Sequence, residues 1–304
     1  GPTQRVVEAG LNQVPVYARE ASADRWRDLL KSVPRPPPSP LTLELDGPRN
    51  ERGLVPGVRF TQADEAETVS FRLSNRAPVP AAGTLSLPLP PGFRGEPQHH
   101  AFNLGPGQST GFSFRVLPPP NLAPGSYAIQ GQCRVGNLSA KTPKVTLVYS
   151  PAWKVLGPLR LGIKQAHALD GRTPDLKARW PGREGDLLWQ DIPAQAIARD
   201  GWLDLGPLTA REGEVTSFAY ATLPSPTSRR VLFKAGSGDA MTIWLNGQEV
   251  LRRDVYRNPE ADEDTAEVTL RGGVNHVLIR VSRSLGANGF YFRLAEPERT
   301  GLFD

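Results

Sequence analysis

Apolar and polar residues alternate along most of the chain beyond residue 40. In "ETVSFRLSN", Val69, Phe71 and Leu73 alternate with polar residues, and a period of two is typical of a strand with one buried face. The segments "GTLSLPLP", "STGFSFRVLP" and "GSYAIQGQCRV" follow, separated by Gly and Pro. Strands at this spacing with no helices between them predict a small antiparallel sandwich.

Strand patterns resume after residue 151, and the strongest local signal there is Asn246-Gly247. A two-residue type I′ turn needs positive φ at both positions, and this pair adopts it readily. The turn predicts a hairpin with Ile243 opposite Val250. It also predicts Trp244 on the other face of the strand, beside Glu249.

Helical spacing is confined to the first 40 residues. Ser22 can cap a segment in which apolar residues recur every three or four positions. The run "PRPPPSP" ends that segment, since consecutive prolines remove amide donors. We therefore predict an all-β protein of two antiparallel β-sandwiches behind a short N-terminal helical segment. The predicted boundaries are 1–40 for the helical segment and Pro-rich linker, 41–150 for the first sandwich and 151–304 for the second.

Composition supports this architecture and removes two classes of partner. The 304 residues include 30 glycines and 31 prolines, which favours many turns between short strands. The net charge of +5 is mild and forms no basic stripe, so we expect no nucleic-acid partner. No run approaches the roughly 18 apolar residues of a membrane span. Gly1-Pro2 is typical of a protease-cleavage scar, so we expect the natural chain to begin further upstream.

The middle of the chain carries a moderately specific pattern. A strand ends in Asn, a Pro-Pro-Gly follows, and a Gly-Pro-Gly precedes the next strand, in "ETVSFRLSNRAPVPAAGTLSLPLPPGF" and "FNLGPGQSTGFSFRV". These segments and "APGSYAIQ" resemble the immunoglobulin-like domain found next to sugar-binding modules in bacterial glycosidases, the alpha-galactosidase-associated (NPCBM-associated) domain. The resemblance covers about a third of the chain and implies an immunoglobulin-like sandwich.

The last part of the chain resembles another domain type of secreted bacterial proteins. The segments "WKVLGPL", "FAYATLPSP", "GSGDAMTIWLNGQEV" and "GGVNHVLIRVSR" are similar to galactose-binding-like jelly rolls. Many such domains are attached to glycoside hydrolases, polysaccharide lyases, esterases or deacetylases, and members differ in whether they bind sugar. The resemblance implies a jelly roll, a multidomain parent protein and a secreted, periplasmic or cell-surface location.

We find no catalytic constellation in the sequence. A nucleophile elbow, a Gly-rich phosphate loop and a zinc signature are all missing. His99 and His100 are adjacent, and neighbouring side chains of a strand point to opposite faces, so they are not expected to share a metal. We expect no catalytic residue and no hydrolase activity in this chain by itself.

The acidic stretch "EADED", residues 260–264, has two interpretations. It could be a solvated acidic loop beside Arg252, Arg253 and Arg257. The alternative is a structural calcium site, because Ca²⁺ takes its ligands from carboxylate and carbonyl oxygens. We favour the first interpretation, and therefore expect no cofactor.

Aromatic and arginine side chains of the last part provide the candidate ligand-binding residues. Sugars place C–H faces against flat rings, and their hydroxyls form hydrogen bonds with polar side chains. Trp244, Tyr256 and Tyr291 are the candidate rings, while Arg280 and Arg293 are expected to share a surface with Tyr291. For Trp244 the alternative is packing beneath the long loop before Gly201 or against the first sandwich.

These observations predict a non-catalytic accessory region of a larger secreted bacterial protein. It would bind carbohydrate, including polysaccharide, weakly, or orient an upstream catalytic domain of the same polypeptide. One alternative is the C-terminal part of a hydrolase (glycosidase, esterase or deacetylase). A second alternative is a protein-interaction module that uses the same rings as an interface hot spot.

Overall fold

Strands are the regular elements throughout the described part of the chain, which confirms the predicted all-β class. A computed structural model describes residues 41–46, 57–61, 66–120, 122–159, 167, 169–182, 184–192, 197–198, 200–209, 214–284 and 286–297. The predicted N-terminal helical segment and linker, residues 1–40, lie outside the described residues. Within these ranges, no helix has the length and apolar character needed to span a bilayer.

The strands of residues 41–149 form three sheets with the orders β1-β3-β7-β5, β10-β9-β4-β6 and β2-β11-β8. All pairs are antiparallel except β2 with β11, which run parallel. This pair departs from the antiparallel expectation. The strands are β1 Leu41–Asp46, β2 Val58–Thr61, β3 Glu67–Asn75, β4 Ala81–Ser86, β5 Arg94–Glu96, β6 His99–Leu104, β7 Ser109–Leu117, β8 Gly125–Ile129, β9 Gln132–Val135, β10 Leu138–Lys141 and β11 Val145–Tyr149.

The core of this first sandwich draws apolar side chains from all three sheet groups. Phe71 and Phe114 from neighbouring strands meet edge to face, with ring centroids 6.3 Å apart. They pack in one buried cluster with Leu85 and Leu147. Tyr149 belongs to the same cluster, and its burial raises the pKa of its hydroxyl to about 12.

The strands of residues 154–295 form a six-stranded sheet, β15-β12-β17-β22-β19-β20, and a four-stranded sheet, β16-β23-β18-β21. A two-stranded ribbon, β13-β14, accompanies them. The strands are β12 Lys154–Leu159, β13 Trp180–Pro181, β14 Asp186–Leu187, β15 Gln190–Asp191, β16 Trp202–Asp204, β17 Val215–Ser225, β18 Arg229–Ser237, β19 Ala240–Leu245, β20 Gln248–Arg253, β21 Asp264–Leu270, β22 Gly273–Arg283 and β23 Gly289–Ala295.

The two larger sheets enclose the main core of this second sandwich. Val277 and Ile279 of β22 face Phe290 and Phe292 of β23 within one buried cluster. Trp153, just before β12, packs perpendicular to both phenylalanine rings. Alternate residues of these strands therefore line the core between the two sheets.

The other face of the six-stranded sheet is also covered. The segment from Leu169 to Trp189 lays apolar side chains over Phe218, Trp244 and Leu278. Trp244 is buried there, beneath the long loop that precedes Gly201. Of the two interpretations of Trp244, packing beneath the loop is the one observed.

The Asn246-Gly247 turn has the predicted backbone, with φ of 52° and 86°. Trp244 pairs with Glu249 as predicted, but Ile243 pairs with Leu251 rather than Val250. That prediction was wrong because a register shift after Ile243 inserts Val250 as an extra residue. Leu251 is therefore the residue buried in the core, and Val250 packs at its margin.

We expect Gly247→Val to destabilise the protein by roughly 1 kcal/mol or more, because a β-branched residue resists positive φ. A Cβ at this position would also lie 2.9 Å from the carbonyl oxygen of Gly171. Chemical denaturation measures the free energy of unfolding. Gly136→Val is the matched control, since Gly136 also has positive φ but no atom within 4 Å of an added Cβ. An equal loss at Gly136 would show that the contact with Gly171 adds nothing to the effect of positive φ, and no loss at Gly247 would contradict the expectation.

Candidate functional site

An open cleft of about 720 Å³ lies on the second sandwich. It is bounded by β16, by the loop between β20 and β21, and by the end of β22 with the loop that leads into β23. Its lining combines two aromatic rings with a carboxylate, two amides and a guanidinium. The lining residues that matter for chemistry are Trp202, Asp204, Asn258, Arg283, Asn288 and Tyr291.

The aromatic wall of the cleft is a cross-strand pair. Trp202 of β16 lies directly opposite Tyr291 of β23, and their ring centroids are 5.0 Å apart. Both residues are largely buried, Tyr291 to the point of 2% exposure. A ligand in the cleft would therefore meet ring edges rather than open ring faces.

The polar wall is held in place by hydrogen bonds within the loops. Asp204 Oδ1 accepts from the backbone N–H of Gly206 at 2.9 Å. Asn288 donates from Nδ2 to Thr209 Oγ1 at 2.7 Å, and its backbone carbonyl accepts from the N–H of Leu205 at 2.8 Å. The bonds of Asn288 link the segment after β16 to the residue before β23, so the polar groups are positioned before a ligand arrives.

The remaining wall is fixed by two further groups. The carboxylate of Asp239 accepts from the backbone N–H groups of Ser284 and Gly286, at 2.7 and 3.4 Å. Arg283 occupies the last position of β22 and is buried at the edge of the cleft. Ser284 and Gly286 are therefore tied to Asp239 beside the cleft.

One aromatic ring that is close in sequence to the cleft lining is open to solvent. Tyr256 is 81% exposed and lies two residues before Asn258, which lines the cleft. The next residue, Arg257, anchors this loop: its N–H donates to Gly238 O at 2.8 Å and its Nε to Ser237 O at 3.1 Å. Tyr256 thus presents a ring face from an anchored loop.

The acidic stretch 260–264 forms ion pairs with arginines. Asp264 is 3% exposed and accepts hydrogen bonds from Arg253 Nε at 2.6 Å and from Arg257 Nη2. Arg257 also forms an ion pair with Glu263 at 3.0 Å. Burial raises the pKa of the Glu263 carboxyl, and the positive charge of Arg257 opposes this shift. Among the described residues, no group of three or more His, Cys, Asp or Glu side chains is arranged to hold a metal ion.

Arg293 lies on the face of β23 that also carries Tyr291. Its guanidinium makes a bidentate pair with Asp262, with Nε donating to Oδ1 at 2.8 Å and Nη2 donating to Oδ2. Both side chains of this pair are largely buried. The pair fixes the loop between β20 and β21 against the four-stranded sheet.

Arg280 lies on the other side of the sandwich. On the covered face of the six-stranded sheet, it donates to Asp170 and, at 2.6 Å, to His167 Nδ1. Its guanidinium carbon lies 5.5 Å from the centroid of the Trp244 ring. The prediction that Arg280 shares a surface with Tyr291 is wrong, because β22 and β23 belong to different sheets, whereas Arg293 does lie on the same face of β23 as Tyr291.

Sequence reasoning missed most of the cleft. Trp202 and Asp204 stand two residues apart in "GWLDLG", which places them on one face of a strand. That spacing was the available signal. The sequence contains no comparable signal for Arg283 and Asn288, because their convergence with β16 depends on the pairing of distant strands.

No protein-family profile and no curated protein matches the sequence. Similar solved structures include the secreted serine protease VesC from Vibrio cholerae, at 10% identity over 81% of this chain and 50% of VesC, with a TM-score of 0.24. A beta-glucosidase from Kluyveromyces marxianus is similar at 11% identity over 49% of this chain and 18% of the enzyme, with a TM-score of 0.32.

The Streptomyces avermitilis alpha-L-rhamnosidase, in complex with L-rhamnose, is similar at 12% identity over 83% of this chain and 23% of the enzyme, with a TM-score of 0.23. The chain thus spans half the length of VesC and less than a quarter of each glycosidase. The similar structures therefore include two glycosidases.

Proposed function

We propose that this chain is a non-catalytic accessory region that binds carbohydrate weakly at the cleft of the second sandwich. The observation that carries the proposal is the convergence of Trp202, Tyr291 and a fixed polar wall around an open volume of about 720 Å³. That volume lies within the roughly 300–1,000 Å³ of small-ligand sites, which combine apolar walls with a few placed polar groups. The parent protein would be secreted and multidomain, with a catalytic domain upstream.

Ring exposure decides which aromatic residues contribute to sugar binding. A stacking interaction needs an open ring face, and Tyr256 offers one at the cleft margin. Tyr291 contributes the part of its ring that borders the cleft. The proposal therefore keeps Tyr256 and Tyr291 from the five predicted residues, and gives Trp244, Arg280 and Arg293 structural roles.

The polar lining suits sugar hydroxyls, which both donate and accept hydrogen bonds. Asp204 accepts, Arg283 donates, and the amides of Asn258 and Asn288 can do both. Glycoside hydrolysis uses two carboxyl groups about 5–10 Å apart. The described lining of the cleft supplies one carboxylate, that of Asp204, which supports binding rather than turnover as the role of the cleft.

We expect the wild type to bind at least one of the soluble galacto-, manno- and xylo-oligosaccharides with a dissociation constant between about 1 mM and 1 μM, because the site is shallow. Tyr256→Ala should weaken this binding about fivefold or more, which corresponds to roughly 1 kcal/mol of lost ring contact. Isothermal titration calorimetry measures both affinities. The substitution should leave the melting temperature unchanged, since the side chain is solvated.

Leu138→Ala is the matched control, because Leu138 is similarly exposed but belongs to β10 of the first sandwich. It should retain wild-type affinity. Equal affinity in the wild type and Tyr256→Ala would remove Tyr256 from the site. If the wild type bound none of the oligosaccharides, the binding role would fail and a spacer role would be favoured.

A further inference from the structure

The first sandwich contacts a segment that forms one wall of the cleft. Phe60 of β2 lies against Gly201, the residue immediately before Trp202. Gly201 has φ of +88°, and a Cβ at this position would overlap the Phe60 ring. The backbone that leads into the aromatic wall therefore rests directly on a side chain of the other sandwich.

The small cluster that contains Phe60 also contacts the loop between β20 and β21, which forms another wall of the cleft. Phe60 packs in a buried cluster with Val58 and Val148 of the first sandwich, and Ala261 of the second packs against this cluster. Ala261 follows the cleft-lining pair Asn258-Pro259 and precedes Asp262, which Arg293 holds. One apolar contact thus supports the loop between β20 and β21 near the point where it borders the cleft.

We propose that Phe60 is a positioning residue for the cleft, so that the first sandwich sets the distance between the walls that carry Trp202 and Asn258. The placement of Phe60 favours this role over mere filling of a core. The ring lies in a small cluster at the junction, apart from the main cluster of the first sandwich. The ring lies against Gly201, its cluster packs against Ala261, and both of these segments continue into the cleft within three residues.

The consequence is a coupling between the sandwiches. Both walls have their own anchors in the second sandwich, but Gly201 and Ala261 each lie within two residues of a residue that lines the cleft. Without the ring, Gly201 and Ala261 lose a shared apolar support, and local opening of both segments becomes easier. The effect on ligand affinity rests on the proposed function, whereas the effect on the two segments does not.

Hydrogen–deuterium exchange on the full chain tests the proposal without a ligand. In Phe60→Ala we expect amides in residues 200–206 and 257–263 to exchange about threefold faster or more, with exchange in β17 unchanged. Phe60→Leu keeps most of the apolar volume and should produce a smaller change in the same two segments. If the alanine variant fails to fold, the leucine variant still provides the test.

Phe102→Ala is the matched control, because Phe102 and Phe60 are both 8% exposed and both belong to the first sandwich. Phe102 packs in the main core of that sandwich, and its removal should not reach the cleft segments. Unchanged exchange in both segments of the two Phe60 variants would overturn the proposal. Equal acceleration in Phe102→Ala would overturn it as well.

Titration of the same galacto-, manno- and xylo-oligosaccharides separates this proposal from the proposed function. If the wild type binds, Phe60→Ala should lose about threefold or more in affinity while Phe102→Ala retains it, and equal affinity in wild type and Phe60→Ala would count against positioning. If the wild type binds none of them while the two segments still exchange faster, the proposed function fails and the positioning role stands.

Discussion

Asp264→Ala is expected to lower the free energy of unfolding by about 3 kcal/mol. The carboxylate is buried and joins two arginines, Arg253 and Arg257. Removing one partner of a buried ion pair typically costs about 3–5 kcal/mol, since a charge is left without its partner. Arg253 can return to solvent, which places the expectation at the lower end of that range. Thermal and chemical denaturation provide the measurement, with an expected drop in melting temperature of roughly 6–12 °C.

Glu267→Ala is the control on the same strand. Glu267 is about half exposed and pairs with the solvated Arg230 at 2.8 Å. Such surface pairs contribute between about 0 and 1 kcal/mol, so this variant should resemble the wild type. If both variants lost the same free energy of unfolding, the buried ion pairs of Asp264 would contribute no more stability than an exposed pair. Asp264→Asn tests the charge separately, because it keeps the shape of the side chain.

Trp153→Ala is expected to cost about 3–5 kcal/mol, the usual effect of truncating a fully buried aromatic side chain. Trp153 follows the last strand of the first sandwich and enters the core of the second. Its ring lies 5.3 Å from that of Phe290 and 5.4 Å from that of Phe292, both nearly perpendicular. Its truncation would leave a cavity between the two larger sheets. Chemical denaturation with tryptophan-independent detection, such as circular dichroism, measures the loss.

Trp153→Phe tests how much of this loss comes from the ring contacts. In the described structure the indole Nε1 is buried without a hydrogen-bond partner. Phenylalanine removes this donor and keeps most ring contacts, so its cost should be about 1–2 kcal/mol. A phenylalanine variant as unstable as the alanine variant would contradict the packing argument.

Local sequence features predicted the elements that depend on neighbouring residues. The period-two pattern of "ETVSFRLSN" predicted a strand with a buried face, and Val69, Phe71 and Leu73 are buried in β3. The turn at Asn246-Gly247 was predicted because its backbone angles depend on two residue types. The pairing of Ile243 with Leu251 was not predicted, because the bulge at Val250 arises where β20 pairs with the rest of the sheet.

The candidate site depended on contacts that no local pattern contains. Tyr256 was named from its residue type, and its exposure became known only from the fold. Tyr291 and Arg280 were expected together because their strands are consecutive in sequence, and the sandwich separates such strands into different sheets. Trp202 became part of the cleft through its pairing with Tyr291, which lies 89 positions further along the chain.

The sequence by itself determined the all-β class, the strand faces and the hairpin turn, because alternation and turn chemistry act over a few residues. The tertiary structure decided which faces were covered, which arginines met carboxylates and where a cleft remained open. These outcomes depend on sheet order and on contacts between the sandwiches, such as that of Phe60 with Gly201. Side chains far apart in sequence come together there, and burial and charge pairing then fix their roles.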